Sequence, residues 1–458
     1  MQLKKTVKGS KKPQNIRDSL ALATCSLLAG VAPVTQAVGA QSPWQIDGGL
    51  LFYSEKDRVS LLEPVLQIRK EIDDNEFFTA RFVADTLTGA SPNGAAPSDA
   101  PQTFTSPSGS KSYTTKANEI PLDTTFTDIR GAVNLSWDKP LSERLRGIFG
   151  ASFSIENDYT SFGVSASLAQ DFNQRNTTLT AAMSLDADSI SPLGGAPVPF
   201  TPMPVAVPSS GEDEGGPSES KTVQQYLLGV TQVLGHNTLA QLNYSYGHSN
   251  GYLTDPYKIL SVLANDGSGN LRAPGNLSSY VYEKRPDQRT FQTLYWKALH
   301  QFGNEDVLTL AYRYGWDDWG VNSHTYDVRY RLEFGNGHYL QPHYRHYTQS
   351  AADFYRQTLI DGEETTLDYA SADSRLGELT TETLGLKYGI VFDQDAEINF
   401  RVEYMHQTGK TRAEDAVGKL ANVDLFPENQ ATIIQAGISM RIDTLAKRMR
   451  TAYYKITR

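Results

Sequence analysis

Cysteine is almost absent from this chain of 458 residues. Its single cysteine, Cys25, lies in an apolar run near the N-terminus, so removal of that run would leave neither a thiol nor a disulfide, which excludes disulfide scaffolds and cysteine-based catalysis. Positive charge is also scarce: 42 Lys and Arg stand against 52 Asp and Glu, a formal net charge of −10. An acidic chain of this kind argues against a nucleic-acid partner.

Long hydrophobic runs are missing too. After the N-terminal segment, no stretch offers the roughly 20 consecutive apolar residues that a spanning helix requires. The His-Glu-x-x-His signature of zinc proteases does not occur either. Two classes remain, a soluble secreted protein and a closed β-barrel, because a barrel also satisfies its backbone hydrogen bonds in lipid.

Residues 1–40 have the pattern of a secretory signal peptide. Six basic residues, the last of them Arg17, precede an apolar run at residues 20–34, and Gly39 and Ala40 provide small residues just before Gln41. Lipid attachment at Cys25 is disfavoured because Thr24 is a poor residue before an acceptor cysteine. We therefore expect a cleaved leader and a mature chain with a net charge of about −15.

A strict alternation of side-chain type runs through residues 305–347. It is clearest where two sets interleave: Tyr326, Val328, Tyr330, Leu332 and Phe334 in one, and Thr325, Asp327, Arg329, Arg331 and Glu333 in the other. Because side chains alternate across a strand, the two sets face different environments. A soluble sandwich would bury the apolar set, whereas a transmembrane barrel would turn it to lipid and the charges to a watery lumen. Alternation alone does not choose between them.

The lengths of the connections favour the barrel. Strands of about 10 residues are joined alternately by short turns and by longer segments, and the long breaks fall at residues 88–123, 187–219, 250–286, 351–377 and 411–427. If Gln41 starts in the periplasm, every long break lies on the outer side, as in bacterial outer-membrane barrels. We predict an all-β fold over residues 41–443, a transmembrane antiparallel β-barrel of about 16 strands with short periplasmic turns and long extracellular loops.

The tail, residues 444–458, is basic and ends without the aromatic residue common in such barrels. Leu445, Met449, Ala452 and Ile456 recur at helical spacing. Three interpretations stay open: a basic tail, an amphipathic helix on the periplasmic side, or an extra strand near residues 452–457.

Several longer segments resemble DUF3570 proteins, an uncharacterised group of Gram-negative outer-membrane proteins. The similar segments are residues 53–58 (YSEKDR), 84–95 (ADTLTGASPNGA), 101–104 (PQTF), 121–123 (PLD), 176–179 (NTTL), 342–345 (PHYR) and 352–355 (ADFY). The resemblance extends across most of the mature chain and implies an outer-membrane barrel. It brings no catalytic residues to carry over.

Charged residues of the inward parity are the first candidate site. The predicted lumen-lining residues are Arg69, Arg81, Asp85, Asp128, Arg130, Asp327, Arg329, Arg331, Glu333, His343, Arg345, Arg401 and Glu403. They could line a hydrated, ion-selective path, with Arg81, Arg130, Arg329, Arg331 and Arg345 forming a positive wall opposite Asp85, Asp327 and Glu333. Alternatively, they pair across neighbouring strands and only hold the shape of the barrel.

The loop at residues 88–123 is the second candidate, as a constriction carrying Pro92, Asn93, Pro101 and Phe104. An infolded loop would narrow a porin-like channel for small hydrophilic solutes or ions. The alternative is an exposed, mobile loop. A second function class is a scaffold or sheath, whose lumen or rim holds a partner protein of the cell envelope.

An outer-membrane enzyme is the least favoured class. Alternation puts His343 and His346 on opposite faces of one strand, which spoils a two-histidine metal pair. We predict no catalytic residues, metal or cofactor. The expected surroundings are outer-membrane lipid and lipopolysaccharide, and a homo-oligomer is compatible with the pattern.

Overall fold

The computed structural model describes residues 44–105, 112–192, 194–203, 217–272, 279–393 and 396–441. The predicted signal peptide and the tail at residues 444–458 lie outside these ranges. Sixteen antiparallel strands close into a barrel, in which each strand pairs with the next barrel strand along the chain and the last pairs with the first.

The barrel strands are β1 (Trp44–Glu55), β2 (Ser60–Asp73), β3 (Glu76–Pro92), β6 (Leu122–Pro140), β7 (Leu145–Ile155), β8 (Tyr159–Phe172), β9 (Thr177–Ile190), β10 (Glu219–Gly235), β11 (Thr238–Gly251), β14 (Gln288–Gln301), β15 (Val307–Asp317), β16 (Asn322–Glu333), β17 (His338–Gln349), β19 (Leu379–Asp393), β20 (Ala396–Gly409) and β21 (Asn429–Arg441). Five short strands lie in the long connections: β4 (Gln102–Thr105), β5 (Ser112–Thr115), β12 (Ile259–Leu263), β13 (Tyr280–Tyr282) and β18 (Thr358–Ile360). Short 3-10 helices occur at Asn173–Arg175, Glu363–Thr365, Ser374–Leu376, Ala413–Asp415 and Gly418–Asn422. Within the described ranges no helix is long and apolar enough to cross a membrane.

The outward face of the barrel is apolar. Leu66 on β2 pairs with Phe82 on β3, and both side chains are exposed. The side chains of Leu384 on β19 and Phe400 on β20 are exposed in the same way. An apolar surface of this extent is unfavourable in water and suits lipid. The predicted transmembrane barrel, with its sixteen strands and outer long connections, is therefore the observed fold.

One outward row marks the outer edge of the apolar band. Register places five residues side by side across β15, β16, β17, β19 and β20: Tyr312, Tyr326, His346, Glu382 and His406. The next outward positions toward the loops include Thr348, Thr380 and Thr408, which are also paired with one another. Aromatic and amphipathic side chains are typical of the membrane interface, so we place the outer boundary of the lipid core at this row.

Inward-facing glycines keep large side chains flat against the wall. A Cβ at Gly389 would overlap the ring of Tyr339 on the neighbouring strand, and a Cβ at Gly385 would lie 2.7 Å from Cγ of Glu403. Tyr339 is fully buried and donates a hydrogen bond of 2.5 Å to Oε1 of Glu397. The guanidinium of Arg331 lies 3.6 Å from the centroid of its ring. The missing side chains thus let bulky neighbours lie along the wall instead of crossing the lumen.

Candidate functional site

The described parts of the long connections pack together into one body, which we call the cap: residues 93–105, 112–121, 191–192, 194–203, 217–218, 252–272, 279–287, 350–378 and 410–428. Its centre is a three-stranded sheet in which β12 pairs with β13 and, in parallel, with β18 of a different connection. Leu260, Val262 and Leu359 in this sheet are completely buried. The cap therefore has a hydrophobic core of its own, separate from the barrel wall.

The cap lies across the outer mouth of the barrel. The connection after β3 contacts the one after β11, because the backbone N–H of Ala96 donates to Oγ of Ser261 at 2.9 Å. It also approaches the connection after β17, since a Cβ on Gly94 would lie 3.1 Å from Cβ of Ala372. These connections start at the third, ninth and thirteenth of the sixteen strands in the ring. Contacts between segments so far apart around the rim must cross the opening.

The predicted constriction loop is one part of this cap. Asn93 is buried, accepts a hydrogen bond from the backbone N–H of Ile259 at 2.9 Å and donates one of 2.8 Å to the hydroxyl of Tyr113. Phe104 is 1% exposed and packs against the ring of Tyr280 at 5.0 Å. The carbonyl of Pro92 accepts from Nζ of Lys258, and Pro101 is exposed. The buried residues of this loop are therefore held in place by other connections of the cap.

A buried ion network joins two connections of the cap. Glu283 is fully buried, and Nε of Arg285 donates to its Oε1 at 2.6 Å while Nη2 of Arg285 lies 2.9 Å from Oδ2 of Asp373. Ser371 donates to the second oxygen of Glu283. Burial raises the pKa of Glu283, against the opposing effect of Arg285. Burial also acts to raise the pKa of Asp373, but Arg375, Lys258 and Arg285 outweigh it and hold that pKa well below its usual range.

Asp415 is a second buried carboxyl of the cap. It is 1% exposed, and its Oδ1 accepts from the backbone N–H of Thr358 at 3.3 Å, while its Oδ2 has no hydrogen-bond partner among the described residues. Burial is the main reason that its pKa rises to about 6, from 3.8. At neutral pH the cap therefore holds an ionised carboxylate in an unfavourable site.

We expect Asp415→Asn to stabilise the cap at pH 8 and to leave it nearly unchanged at pH 4. Because the folded pKa lies above the unfolded one, wild-type stability is full below pH 4 and is lost as pH rises through about 6. The gain at pH 8 should reach up to about 3 kcal/mol. Hydrogen exchange of the cap amides at the two pH values measures it. Asp368→Asn, at an exposed cap position, is the control, and an equal gain from it would contradict the explanation.

The predicted lumen-lining residues all lie on the parity opposite to the exposed apolar side chains. The structure groups many of them into neighbouring pairs. Arg130 on β6 forms an ion pair with Asp85 on β3. Arg331 and Glu333 pair along β16 at 2.5 Å. Arg69 lies 3.8 Å from Asp138.

His343 connects three strands of the lumen wall. Its Nε2 lies 3.0 Å from Oδ2 of Asp327 and its Nδ1 lies 2.8 Å from Oε1 of Glu403, two strands away over Gly385. Asp327 is also 3.1 Å from Nη2 of Arg329, and Glu403 is 3.6 Å from Nη1 of Arg401.

The proposed opposition of an arginine wall to Asp327 and Glu333 is wrong. These two acids lie on β16, the same strand as Arg329 and Arg331, and pair with them. Side chains two residues apart on a strand share a face, so they neutralise one another locally instead of across the lumen. A wider segregation does exist: Asp128 and Asp186 lie on β6 and β9, whereas Arg313 and Arg345 lie on β15 and β17.

Sequence reasoning missed several lumen residues. Lys297 on β14 pairs in register with Ala311 and faces inward, but the predicted strand there showed no clean alternation. Arg313 lies in the inward set of β15 and is exposed although it faces the lumen. Its signal was present in the alternation of residues 307–316. No group of three or more His, Cys, Asp or Glu within the described ranges is arranged to hold a metal ion.

The fold and the charged lumen define an outer-membrane-type β-barrel protein. Residues 17–440 match the model of the family described as "Protein of unknown function (DUF3570)", so the chain belongs to that family, as its sequence segments predict. No curated protein matches the chain.

Solved structures with a similar fold share little sequence. A "Bacterial polysaccharide outer membrane secretin" has 7% identity and a TM-score of 0.43, and the match covers 88% of this chain and 99% of that chain. The outer membrane protein opdK from Pseudomonas aeruginosa has 8% identity and a TM-score of 0.37, covering 87% and 98%. OccD3 (OpdP) from Pseudomonas aeruginosa has 11% identity and a TM-score of 0.38, covering 93% and 99%.

Proposed function

We propose that the protein is a porin-like channel of the Gram-negative outer membrane, through which small hydrophilic solutes or ions pass under control of the cap. The observation that carries the proposal is the solvent exposure of Arg313 and Arg345. Both side chains face the inside of the barrel, yet both are exposed. An inward guanidinium is exposed only if open, water-accessible space lies in front of it.

The size of the barrel supports the same function. A wall of sixteen strands leaves room for an aqueous channel. The inward glycines enlarge that room, because large neighbours such as Tyr339 lie along the wall. The cap supplies a structure that can limit passage, and residues 88–123 would narrow the path as part of it.

The test is the conductance of the purified, refolded full chain in planar bilayers, with liposome swelling in sugars of increasing size to find the size limit. Discrete conductance steps and entry of small sugars support a channel. Silence in both assays, from protein shown to be folded and inserted and also after removal of cap residues, overturns it. That outcome would favour a scaffold that houses an envelope partner.

A further inference from the structure

The basic side of the lumen has more cations than its carboxylates can neutralise. Every inward carboxylate of β15, β16 and β20 already has a cationic neighbour: Asp317 has Arg289 at 2.5 Å, Asp327 has Arg329 at 3.1 Å, Glu333 has Arg331 at 2.5 Å, Glu397 has Lys387 at 3.3 Å, and Glu403 has Arg401 at 3.6 Å. Lys297, Arg313 and Arg345 form no ion pair with any described residue. Three cationic side chains of this wall are therefore left over.

These three cations lie close together. Register places Lys297, Ala311, Asp327 and Arg345 in one row across β14, β15, β16 and β17. Arg313 lies on the same face of β15, one step toward the outer end, and pairs in register with Thr325. With strands about 4.8 Å apart, the backbones of the three cations lie within about 15 Å of one another. Their long side chains can reach one shared ligand.

Two of the three residues that lie between these cations have small side chains. Ala311 and Thr325, which separate the three cations, are small, and the larger Asp327 is already held by Arg329 and His343. Tyr295 supports one edge, where the guanidinium of Arg313 lies 5.5 Å from its ring centroid. An aromatic face beneath an arginine fixes its position and leaves its N–H donors free to bind a ligand.

Opposite charge across the ring directs anions to this patch. Asp128 lies on β6, the fourth strand, and forms no ion pair with a described residue, while Arg313 and Arg345 lie on β15 and β17, the eleventh and thirteenth. In a ring of sixteen, Asp128 is thus seven positions away from each of the two arginines. An anion in the lumen is repelled by the acidic side and attracted by the basic one.

We propose that Lys297, Arg313 and Arg345 form a binding site for organic anions that carry a carboxylate, on the lumen wall of β14 to β17. Arginine fits a carboxylate because its planar fork can donate two parallel, charge-assisted hydrogen bonds. This inference rests on the proposed function and specifies the class of solute. The channel would favour small carboxylates over cations and neutral solutes of the same size.

Binding is tested first, without any need for conductance. Succinate is titrated calorimetrically into the folded full chain in detergent, at low ionic strength. The variant Arg313→Gln with Arg345→Gln should weaken succinate binding by about tenfold or more, because each arginine contributes charge-assisted hydrogen bonds. Arg331→Gln removes one positive charge from the same wall but one that Glu333 already neutralises. It should change the affinity by less than about twofold.

Each outcome has a distinct meaning. No succinate binding by the wild type, or equal losses in the double variant and in Arg331→Gln, overturns the site, since equal losses indicate a diffuse field. In bilayers, the reversal potential in a potassium succinate gradient should show anion preference that the double variant loses. Conductance without anion preference overturns the inference and leaves the channel standing. Site-dependent binding in a protein that does not conduct supports the site and overturns the channel.

Discussion

Replacing residues 94–116 by a short Gly-Ser linker is expected to raise the single-channel conductance several-fold and to lengthen the open state. The deletion removes Ala95, Phe104 and Tyr113 from a cluster that packs on Ile259 and Met203 of other connections. It also removes the hydrogen bond from Ala96 to Ser261. The barrel should survive, because Pro92 and Leu122 are register partners and a short linker can join them.

A matched deletion tests whether shortening a connection is itself enough. Residues 206–214 (AVPSSGEDE) belong to the connection between β9 and β10 and are mostly small, polar and acidic. Their removal should leave the conductance near the wild-type value. An increase from both deletions would mean that any shortened connection lets ions through, and no increase from the first would mean that residues 94–116 do not limit passage.

Arg285→Met should loosen the cap without unfolding the barrel, at a cost of about 3–5 kcal/mol. The reason is that Glu283, at 0% exposure, and Asp373, at 2%, would both lose a cationic partner where water cannot replace it. Removing one member of a buried ion pair leaves an uncompensated charge, which is far more costly than losing the pair as a whole.

Limited proteolysis and hydrogen exchange of the cap measure this effect, while heat-modifiable migration in gels reports on the barrel. Lys410→Met is the control, because its ion pair with Glu378 is exposed, with side chains at 74% and 50%. It should cost no more than about 1 kcal/mol. Equal loosening by the two variants would show that the Arg285 network is not what holds the connections together.

The face of each strand on which the charged side chains lie could be predicted, because it depends only on the local alternation of the sequence. Arg329 and Asp327 share a parity that is visible within ten residues of sequence, and both face inward. The partners of His343 could not be predicted, because Glu403 lies 60 residues away and meets it only through the register of β17, β19 and β20. The opposed-wall hypothesis failed for this reason: alternation identifies a face, and it does not identify which charges neutralise one another.

The cap could not be predicted from the sequence for a different reason. Its strands β13 and β18 have three residues each, too short for a periodic pattern. The strand β12, Ile259–Leu263, is a short apolar run within a long polar connection, a pattern that is typical of a buried strand. That run was the available signal that the connection has a core, although its partner β18 lies almost 100 residues further along the chain.

The outward row through Tyr326, His346 and Glu382 also sets the thickness of bilayer that this protein fits. From Tyr326 to Phe334, at the turn end of β16, the chain rises about 26 Å, or about 20 Å along the barrel axis at a usual strand tilt. A typical hydrocarbon core is about 30 Å thick, and the bacterial outer membrane is thinner than average. Hydrophobic mismatch would therefore oppose insertion into thick membranes, and short-chain lipids are the natural choice for reconstitution.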